Sequence, residues 1–269
     1  MHNITLASRE YEFNDTSITP LEIDEDPSGL LRGGVGSTIW DAAIVLAKYF
    51  ERLDLTSFTS TTTPAESRII NVLELGSGTG IVGLAVARML SAKGLKAKVV
   101  LTDKDNVVPL LQRNVAKNAS PGIHIDTQVL DWEAISGINA DATNTPAADG
   151  SSASQATGAT EVSSSTERMT SVRTHTDLAD INWDLVILSD CIWVPKLYGP
   201  LISTINTIIQ PGSSTKLVVA FEKRNFSEEM EFFALLGKSF RFRDIKPEEQ
   251  DTNYQSEDIY LFVCQRRTE

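Results

Sequence analysis

Short apolar runs of strand length alternate with longer segments of helical periodicity along most of this chain. The apolar runs predict strands over 68–75, 98–103, 124–131, 182–190, 216–222, 240–245 and 259–265. Helical spacing predicts helices over 39–50, 81–93, 195–209 and 225–238. A further helix is expected behind Asp105 or Asn106, with Pro109 in its first turn. This alternation predicts an α/β protein whose parallel sheet is covered by helices on both faces.

Two segments lack such a pattern. Residues 1–36 mix charged and polar positions with little periodicity, which predicts a mobile N-terminal lead-in before a domain over 37–269. Between Asn139 and Thr166 the chain has one Val and no Ile, Leu, Phe, Met, Tyr or Trp. Such a stretch buries too little apolar area to offset its ordering entropy, so a disordered insertion is predicted at about 136–178.

The strongest candidate site lies where an apolar run ends in glycines, over Val72-Leu-Glu-Leu-Gly-Ser-Gly-Thr-Gly-Ile-Val-Gly83. This pattern predicts a strand, a tight loop and a helix, and the glycines let a ligand approach the backbone. The same loop also satisfies the dinucleotide fingerprint G-x-G-x-x-G, with Asp103 roughly 20 residues further on. The loop alone therefore leaves two cofactor classes open, a dinucleotide and another nucleotide-type ligand. A third alternative is a glycine turn that binds no ligand and only lets a helix pack closely against a strand.

Other polar residues of interest lie at the carboxyl ends of the predicted strands, namely Asp103, Asp131-Trp132 and Ser189-Asp190. In open α/β sheets, ligands bind beyond these ends, so one shared site is expected. A dehydrogenase would also need an acid or a base there. The three histidines fall elsewhere, and no Tyr-x-x-x-Lys pair occurs. The nicotinamide interpretation therefore has a cofactor loop without catalytic residues.

Composition narrows the partners and the compartment. A net charge of −12 and a pI of about 4.8 repel a phosphate backbone, so nucleic acid is not expected as a partner. The chain has no apolar run long enough for a membrane span and no signal-peptide core at its start, which predicts a cytoplasmic protein. Cys191 and Cys264 are too few for a disulfide framework or a metal site. A monomer is the default expectation.

At the level of motifs, the chain resembles the seven-β-strand S-adenosylmethionine-dependent methyltransferases. The resemblance is carried by Glu74-Leu-Gly-Ser-Gly-Thr-Gly80, Leu101-Thr-Asp103 and Trp183-Asp-Leu-Val-Ile-Leu-Ser-Asp190. It implies a Rossmann-like seven-strand class I methyltransferase sheet and S-adenosyl-L-methionine as the cofactor.

Further motifs resemble the family 16 protein-lysine methyltransferases. These are Trp40-Asp-Ala-Ala43, Asp131-Trp132 and Asp190-Cys-Ile-Trp193. Within that family, Asp105-Asn-Val-Val-Pro-Leu-Leu-Gln-Arg-Asn114 and Phe221-Glu-Lys-Arg224 are most similar to the fungal elongation-factor lysine methyltransferases. The resemblance covers about residues 33–267 and implies a basic protein substrate, translation elongation factor 1-alpha.

The resemblance also implies roles for individual residues. Trp40 would lie against the methionine end of the cofactor, although core packing would be favoured for an average tryptophan. Asp103 would hold the ribose, Trp132 would flank the adenine unless it only covers the sheet edge, and Ser189 would contact the adenine through its backbone. The loop positions expected to bind the cofactor are Glu74, Gly76, Ser77 and Gly78.

Asp190 and Trp193 are the expected catalytic residues. The family pattern is Asp-x-x-Tyr, and Trp193 keeps an aromatic face that can hold an ammonium but lacks the phenol oxygen. We expect both residues to align the incoming amine, with water or Asp190 taking its proton; alternatively, Asp190 only caps a strand end. Two other functions stay open: methylation of another residue or a small molecule, and cofactor-dependent regulation without turnover.

Overall fold

The computed structural model describes residues 6–55, 68–134 and 178–268, and within them two sheets. A small antiparallel sheet pairs β1 (Ala7–Tyr11) with β2 (Leu21–Glu25). The central sheet has seven strands, in the order β5-β4-β3-β6-β7-β9-β8. Its strands are β3 (Ile69–Leu75), β4 (Lys96–Asp103), β5 (Ile123–Val129), β6 (Leu185–Ser189), β7 (Lys216–Glu222), β8 (Phe240–Asp244) and β9 (Ile259–Arg266).

Five helices whose full lengths fall within the described ranges cover the central sheet from both sides: α1 (Asp41–Glu51), α2 (Ile81–Ala92), α3 (Val108–Lys117), α4 (Tyr198–Ile208) and α5 (Phe226–Leu236). Alternate strand residues point to opposite faces. Val72 and Ile187 join the buried cluster under α1 and α2, while Leu73 and Val186 join the cluster under α4 and α5. The predicted Rossmann-like α/β sheet with helices on both faces is confirmed.

The sheet differs from the prediction at one edge, because it is mixed rather than fully parallel. Strands β5, β4, β3, β6 and β7 run parallel, whereas β9 is antiparallel to both β7 and β8. The segment between β8 and β9 contains only the 3-10 turn Pro247–Glu249 and irregular structure. A parallel pair needs a longer crossover, usually a helix, whereas this connection suits an antiparallel one.

The expected lead-in over 1–36 is corrected by the structure for its described part, residues 6–36. Strands β1 and β2 lie within it, and Tyr11, Leu21 and Ile23 are buried in the core. The apolar positions of β2 recur with a period of two, a weak signal in so short a strand. This segment belongs to the fold.

Two asparagines, Asn114 of α3 and Asn118 just after its last residue, hold β2 in place. Asn114 accepts the backbone N–H of Asp24 at 2.8 Å and donates to its carbonyl, and Asn118 does the same for Glu22. These amides replace the strand that β2 lacks on that side. Asn114 also donates to the carbonyl of Thr79, in the glycine loop, at 2.9 Å. The small sheet is therefore hydrogen-bonded to the candidate site through one side chain.

Several helix starts differ from their predictions. Helix α1 has Trp40 at its N-cap, without a side-chain cap from the Thr38 region, and α3 has Val107 rather than Asp105 or Asn106. Pro195 opens a 3-10 turn, after which α4 starts at Tyr198. None of these three helices has a side-chain hydrogen bond at its N-cap.

The predicted insertion at about 136–178 lies outside the described residues except for its last position. Leu178 is buried, and its carbonyl accepts the indole N–H of Trp183 at 2.8 Å. Leu178 thus belongs to the fold. None of the helices in the described ranges combines the length and apolarity that crossing a membrane requires.

Candidate functional site

A cavity of about 310 Å³ lies at the carboxyl edge of the parallel strands, and all ten predicted site residues line it. A volume of this size matches a small-molecule site. The ten residues come from the carboxyl ends of β3, β4 and β6, from the loops behind β3, β5 and β6, and from the N-cap of α1. They are Trp40, Glu74, Gly76, Ser77, Gly78, Asp103, Trp132, Ser189, Asp190 and Trp193.

The glycine loop forms the floor of this cavity. Gly76 and Gly78 have φ values of 65° and 54°, in the left-handed region that favours glycine. A Cβ on Gly76 would lie 2.6 Å from the Cys191 Sγ, and one on Gly78 would lie 2.9 Å from the carbonyl oxygen of Gly36. Side chains larger than hydrogen would therefore push the surrounding loops apart.

Glu74 occupies the helix N-terminus that a dinucleotide would use. Its side chain is buried and accepts the backbone N–H of Gly83, in the first turn of α2, at 3.0 Å. Dinucleotide folds place a pyrophosphate at this helix end. Because a carboxyl group from β3 fills the position, the geometry disfavours the dinucleotide reading of the G-x-G-x-x-G pattern.

Burial raises the pKa of Glu74 to about 8, and the nearby Asp103 carboxylate acts in the same direction. Because Glu74 binds its proton more tightly in the folded state than in the unfolded state, proton binding stabilises the fold. This stabilisation is complete below pH 4.5 and is lost as the pH rises through 8. Between these values the group should lower the free energy of unfolding by at most about 1.4 kcal/mol per pH unit.

We expect Glu74→Gln to flatten the pH dependence of stability, because the amide stays neutral and can still accept the Gly83 N–H. Urea unfolding of wild type and variant without ligand, from pH 5 to pH 8.5, measures the effect. The difference in unfolding free energy should shift in favour of the variant as the pH rises. Parallel curves over this range would show that Glu74 does not titrate there.

Asp103 ends β4 and faces the glycine loop. Its two carboxylate oxygens accept the backbone N–H groups of Gly78, at 2.8 Å, and Lys104, at 2.7 Å. Burial raises the pKa of Asp103, and these two hydrogen bonds counteract the rise. Each oxygen keeps a further lone pair. The fixed carboxylate can therefore accept two neighbouring hydroxyl groups.

Two buried polar atoms on cavity-lining residues lack a hydrogen-bond partner within the described ranges, the Trp132 Nε1 and the Ser189 Oγ. An unsatisfied buried donor or acceptor costs about 1–3 kcal/mol, so such atoms call for a ligand or for water.

A smaller cavity of about 60 Å³ adjoins the first one, and we call it the acceptor chamber. Trp40 and Trp193 line it, with 40% and 48% of their surfaces exposed. The Trp40 indole donates to the Val35 carbonyl at 2.9 Å, which fixes the ring. The remaining lining residues are Val35, Asp190 and Arg224. Aromatic faces beside a carboxylate suit a cationic side chain.

Asp190 is held by a bidentate ion pair. Arg224 donates from Nη1 and Nη2 to the two carboxylate oxygens, each at 2.8 Å, and the Glu222 N–H adds a bond at 3.2 Å. Asp190 has a φ of 53°, which aspartate tolerates better than most residues. Its hydrogen bond to Arg224 raises the pKa of the guanidinium. Asp190 is therefore tightly oriented.

Arg224 is the main contributor that the sequence analysis missed as a site residue. Its guanidinium carbon lies 5.4 Å from the centre of the Trp40 ring, besides pairing with Asp190. The sequence did contain one indication of this role: Arg224 comes just after the carboxyl end of β7, at the same edge of the sheet as Asp190. Val35, from the segment expected to be mobile, was missed as well.

The strand order and the site at the carboxyl edge define a class I methyltransferase fold. The sequence matches the lysine methyltransferase family over residues 17–145 and 167–239, and the chain belongs to this family. The match begins inside the segment that contains β1 and β2.

Individual relatives show the same class. The protein-lysine N-methyltransferase EFM6 of Saccharomyces cerevisiae is 25% identical over 264 residues, 97% of this chain and 92% of the relative. Mouse protein N-lysine methyltransferase METTL21A is 22% identical over 88% of this chain and 80% of its own length. EEF1A lysine methyltransferase 3 of Xenopus tropicalis is 34% identical, over 37% of each chain.

Proposed function

We propose that this protein transfers a methyl group from S-adenosylmethionine to a lysine of a basic protein, elongation factor 1-alpha. The observation that carries the proposal is the junction of two cavities: a ligand cavity floored by glycines and an aromatic acceptor chamber, with Asp190 in both. Membership of the lysine methyltransferase family fits this arrangement. A cytoplasmic location is part of the proposal.

The residues of the larger cavity fit the cofactor. Asp103 would accept both ribose hydroxyls with its free lone pairs, and the unpartnered Trp132 and Ser189 would face the adenine end. S-adenosylmethionine supplies a methyl group on a positively charged sulfur. Asp103 and Asp190 line the cavity against one lysine, Lys104, so the charge of its described lining favours a cation over the pyrophosphate of a dinucleotide.

In the acceptor chamber the side chains would align the lysine. Trp40 and Trp193 offer aromatic faces to the ammonium and its aliphatic stem. Asp190 keeps a lone pair on Oδ2 beyond its bonds to Arg224, so its charge can attract the ammonium. Positioning of this kind supplies most of the rate in an in-line transfer.

The lysine must lose its proton before transfer, because only the neutral amine is a nucleophile. Both carboxylate oxygens of Asp190 already accept hydrogen bonds from the Arg224 guanidinium, and this geometry holds the carboxylate in one orientation. We therefore assign the proton to water and orientation to Asp190. This choice narrows the earlier expectation that water or Asp190 takes it.

Charge supports the choice of substrate class. The chain carries a net charge of −12, which attracts a basic protein and repels acidic ones. The motifs similar to elongation-factor lysine methyltransferases point to elongation factor 1-alpha, and one relative is named for lysine methylation of that factor.

The test is incubation of the purified protein with methyl-labelled S-adenosylmethionine and purified fungal elongation factor 1-alpha. A labelled lysine in the factor is the expected result, read by mass spectrometry. If the label appears instead on another protein or on a small molecule of a fungal extract, that molecule is the substrate and elongation factor 1-alpha is not. Tight S-adenosylhomocysteine binding without any labelled product would indicate a regulator.

Arg224→Lys should lower kcat/KM about tenfold while the affinity for S-adenosylhomocysteine stays unchanged. Lysine keeps the charge but loses the planar fork that fixes both oxygens of Asp190. Arg224→Ala should lose more, so lysine should rescue part of the activity. A purely structural role would instead lower the melting temperature without this graded effect on kinetics.

The matched control is Arg243→Lys, because Arg243, on β8, also donates to both carboxylate oxygens of an acidic residue, Glu249. That pair lies away from both cavities. Arg243→Lys should leave kcat/KM unchanged. Equal losses in the two variants would contradict a positioning role for Arg224.

A further inference from the structure

A third cavity, of about 300 Å³, lies between α5 and the strands β7, β8 and β9, and we call it the aromatic groove. Its floor is the aromatic cluster of Phe221, Phe233 and Phe262, with ring centres 4.9 to 6.4 Å apart. Its rim includes Phe226 and Met230, which are 68% and 48% exposed. Large apolar side chains clustered at the surface mark an interaction site.

The aromatic groove and the acceptor chamber share one stretch of chain. Phe221 and Lys223 line the groove, whereas Arg224 lines the chamber. Three residues span at most about 11 Å of extended chain, so the openings are close neighbours. A protein whose lysine enters the chamber would therefore cover the groove as well.

The charges around the groove select its occupant. Lys223 is the one cation among its described lining residues, and its ammonium already lies 3.0 Å from Asp258. The arginines of β8 alternate with Phe242 and point away from the groove. Glu229 of α5 lines the groove but is buried. The exposed acidic residues next to lining positions are Glu231, beside Met230 on α5, and Glu257 and Asp258, before β9.

This pattern favours a basic polypeptide over the other occupants. A second copy of the chain would bring the same carboxylates and another net charge of −12 against this surface. A phosphate-bearing surface would be repelled for the same reason. Only a basic segment with an apolar side chain satisfies both the aromatic floor and the acidic border.

We propose that the aromatic groove docks a basic segment of the substrate protein, which inserts an apolar side chain there while its lysine occupies the acceptor chamber. This inference rests on the function proposed above. It adds a second contact surface that recognises the protein rather than the lysine, so turnover on whole proteins should depend on it.

The test replaces Met230, on the exposed face of α5, with lysine in the full chain. Met230→Lys places a cation where a basic segment would dock and removes an apolar contact. The KM for elongation factor 1-alpha should rise at least about tenfold, a typical loss for an interface anchor. The kcat and the affinity for S-adenosylhomocysteine should stay unchanged, and Phe242→Ala should raise KM in the same direction.

The matched control is Ile69→Lys, because Ile69 is 55% exposed. It is the first residue of β3 and lies at the amino edge of the parallel strands, opposite the carboxyl edge that holds the acceptor chamber. This variant should keep the wild-type KM. Melting curves with S-adenosylhomocysteine identify any variant that fails to fold, and Phe242→Ala then carries the test.

Binding of elongation factor 1-alpha to the protein loaded with S-adenosylhomocysteine separates the two proposals. Binding that Met230→Lys weakens, without methyl transfer by wild type, would keep the docking surface and overturn the function. Transfer with an unchanged KM in Met230→Lys and Phe242→Ala would overturn the docking surface alone. Absence of both binding and transfer would overturn both, and a wild-type dimer that Met230→Lys dissociates would overturn docking.

Discussion

Asp190→Asn should lower kcat for elongation factor 1-alpha at least about 100-fold while the affinity for S-adenosylhomocysteine stays within about twofold. Asparagine keeps the shape of the side chain and tolerates the φ of 53°. It removes the negative charge that pairs with Arg224 and that faces the acceptor chamber. A 100-fold loss corresponds to about 2.7 kcal/mol of transition-state stabilisation, within reach of two charged hydrogen bonds.

The measurement combines steady-state kinetics with calorimetry of S-adenosylhomocysteine binding. Asp184→Asn is the matched control, because Asp184 is also buried, pairs with Arg68 and accepts the Asn71 N–H, but lies at the amino end of β6. The control should lower the melting temperature without lowering kcat of the folded enzyme. If Asp190→Asn or Asp190→Ala methylated at the wild-type rate with normal cofactor affinity, the proposed role of Asp190 would be wrong.

Gly78→Ala should abolish cofactor binding, with at least about a 100-fold weaker Kd for S-adenosylhomocysteine. The new Cβ would lie 2.9 Å from the backbone oxygen of Gly36. Backbone cannot rotate away as a side chain does, so the loops that enclose the cavity must separate. The Gly78 N–H, which orients Asp103, would move with them.

Gly94→Ala separates this clash from backbone strain. Gly94 has a φ of 68°, similar to that of Gly78, but a Cβ there would meet nothing within 4 Å. Both variants should lose roughly 1–2 kcal/mol of stability from the left-handed φ. Calorimetry should find normal S-adenosylhomocysteine binding in Gly94→Ala alone. Equal affinities in the two variants would contradict the steric argument.

Local periodicity was sufficient to predict much of this fold. The strands β3, β4 and β6 are short, largely buried apolar runs, and β4 and β6 each end in a polar residue of the site. Because parallel strands bring their carboxyl ends to one edge, Asp103 and Ser189 could be grouped from their order along the chain. Their chemical roles came only from the resemblance and stay predictions.

The features that sequence reasoning missed depend on tertiary contacts. Arg224 and Asp190 are 34 positions apart in the sequence, and no local pattern around either residue predicts that they pair. The capping side chains expected at α1 and α3 are not used. Strand β2 depends on amides from α3, about 90 positions away along the chain, for its missing hydrogen bonds.

Through the amide of Asn114, the small N-terminal sheet supports the ligand cavity more than its size suggests. A shortened protein that starts at residue 37 would lack the partner of this amide in Asp24 and the loop that carries Val35 and Gly36. Asn114 would then hold only Thr79, on a glycine loop that has lost one of its walls. Truncation before residue 37, the boundary that composition suggests, would therefore disturb the ligand cavity although the removed strands do not line it. Expression work should retain these first residues.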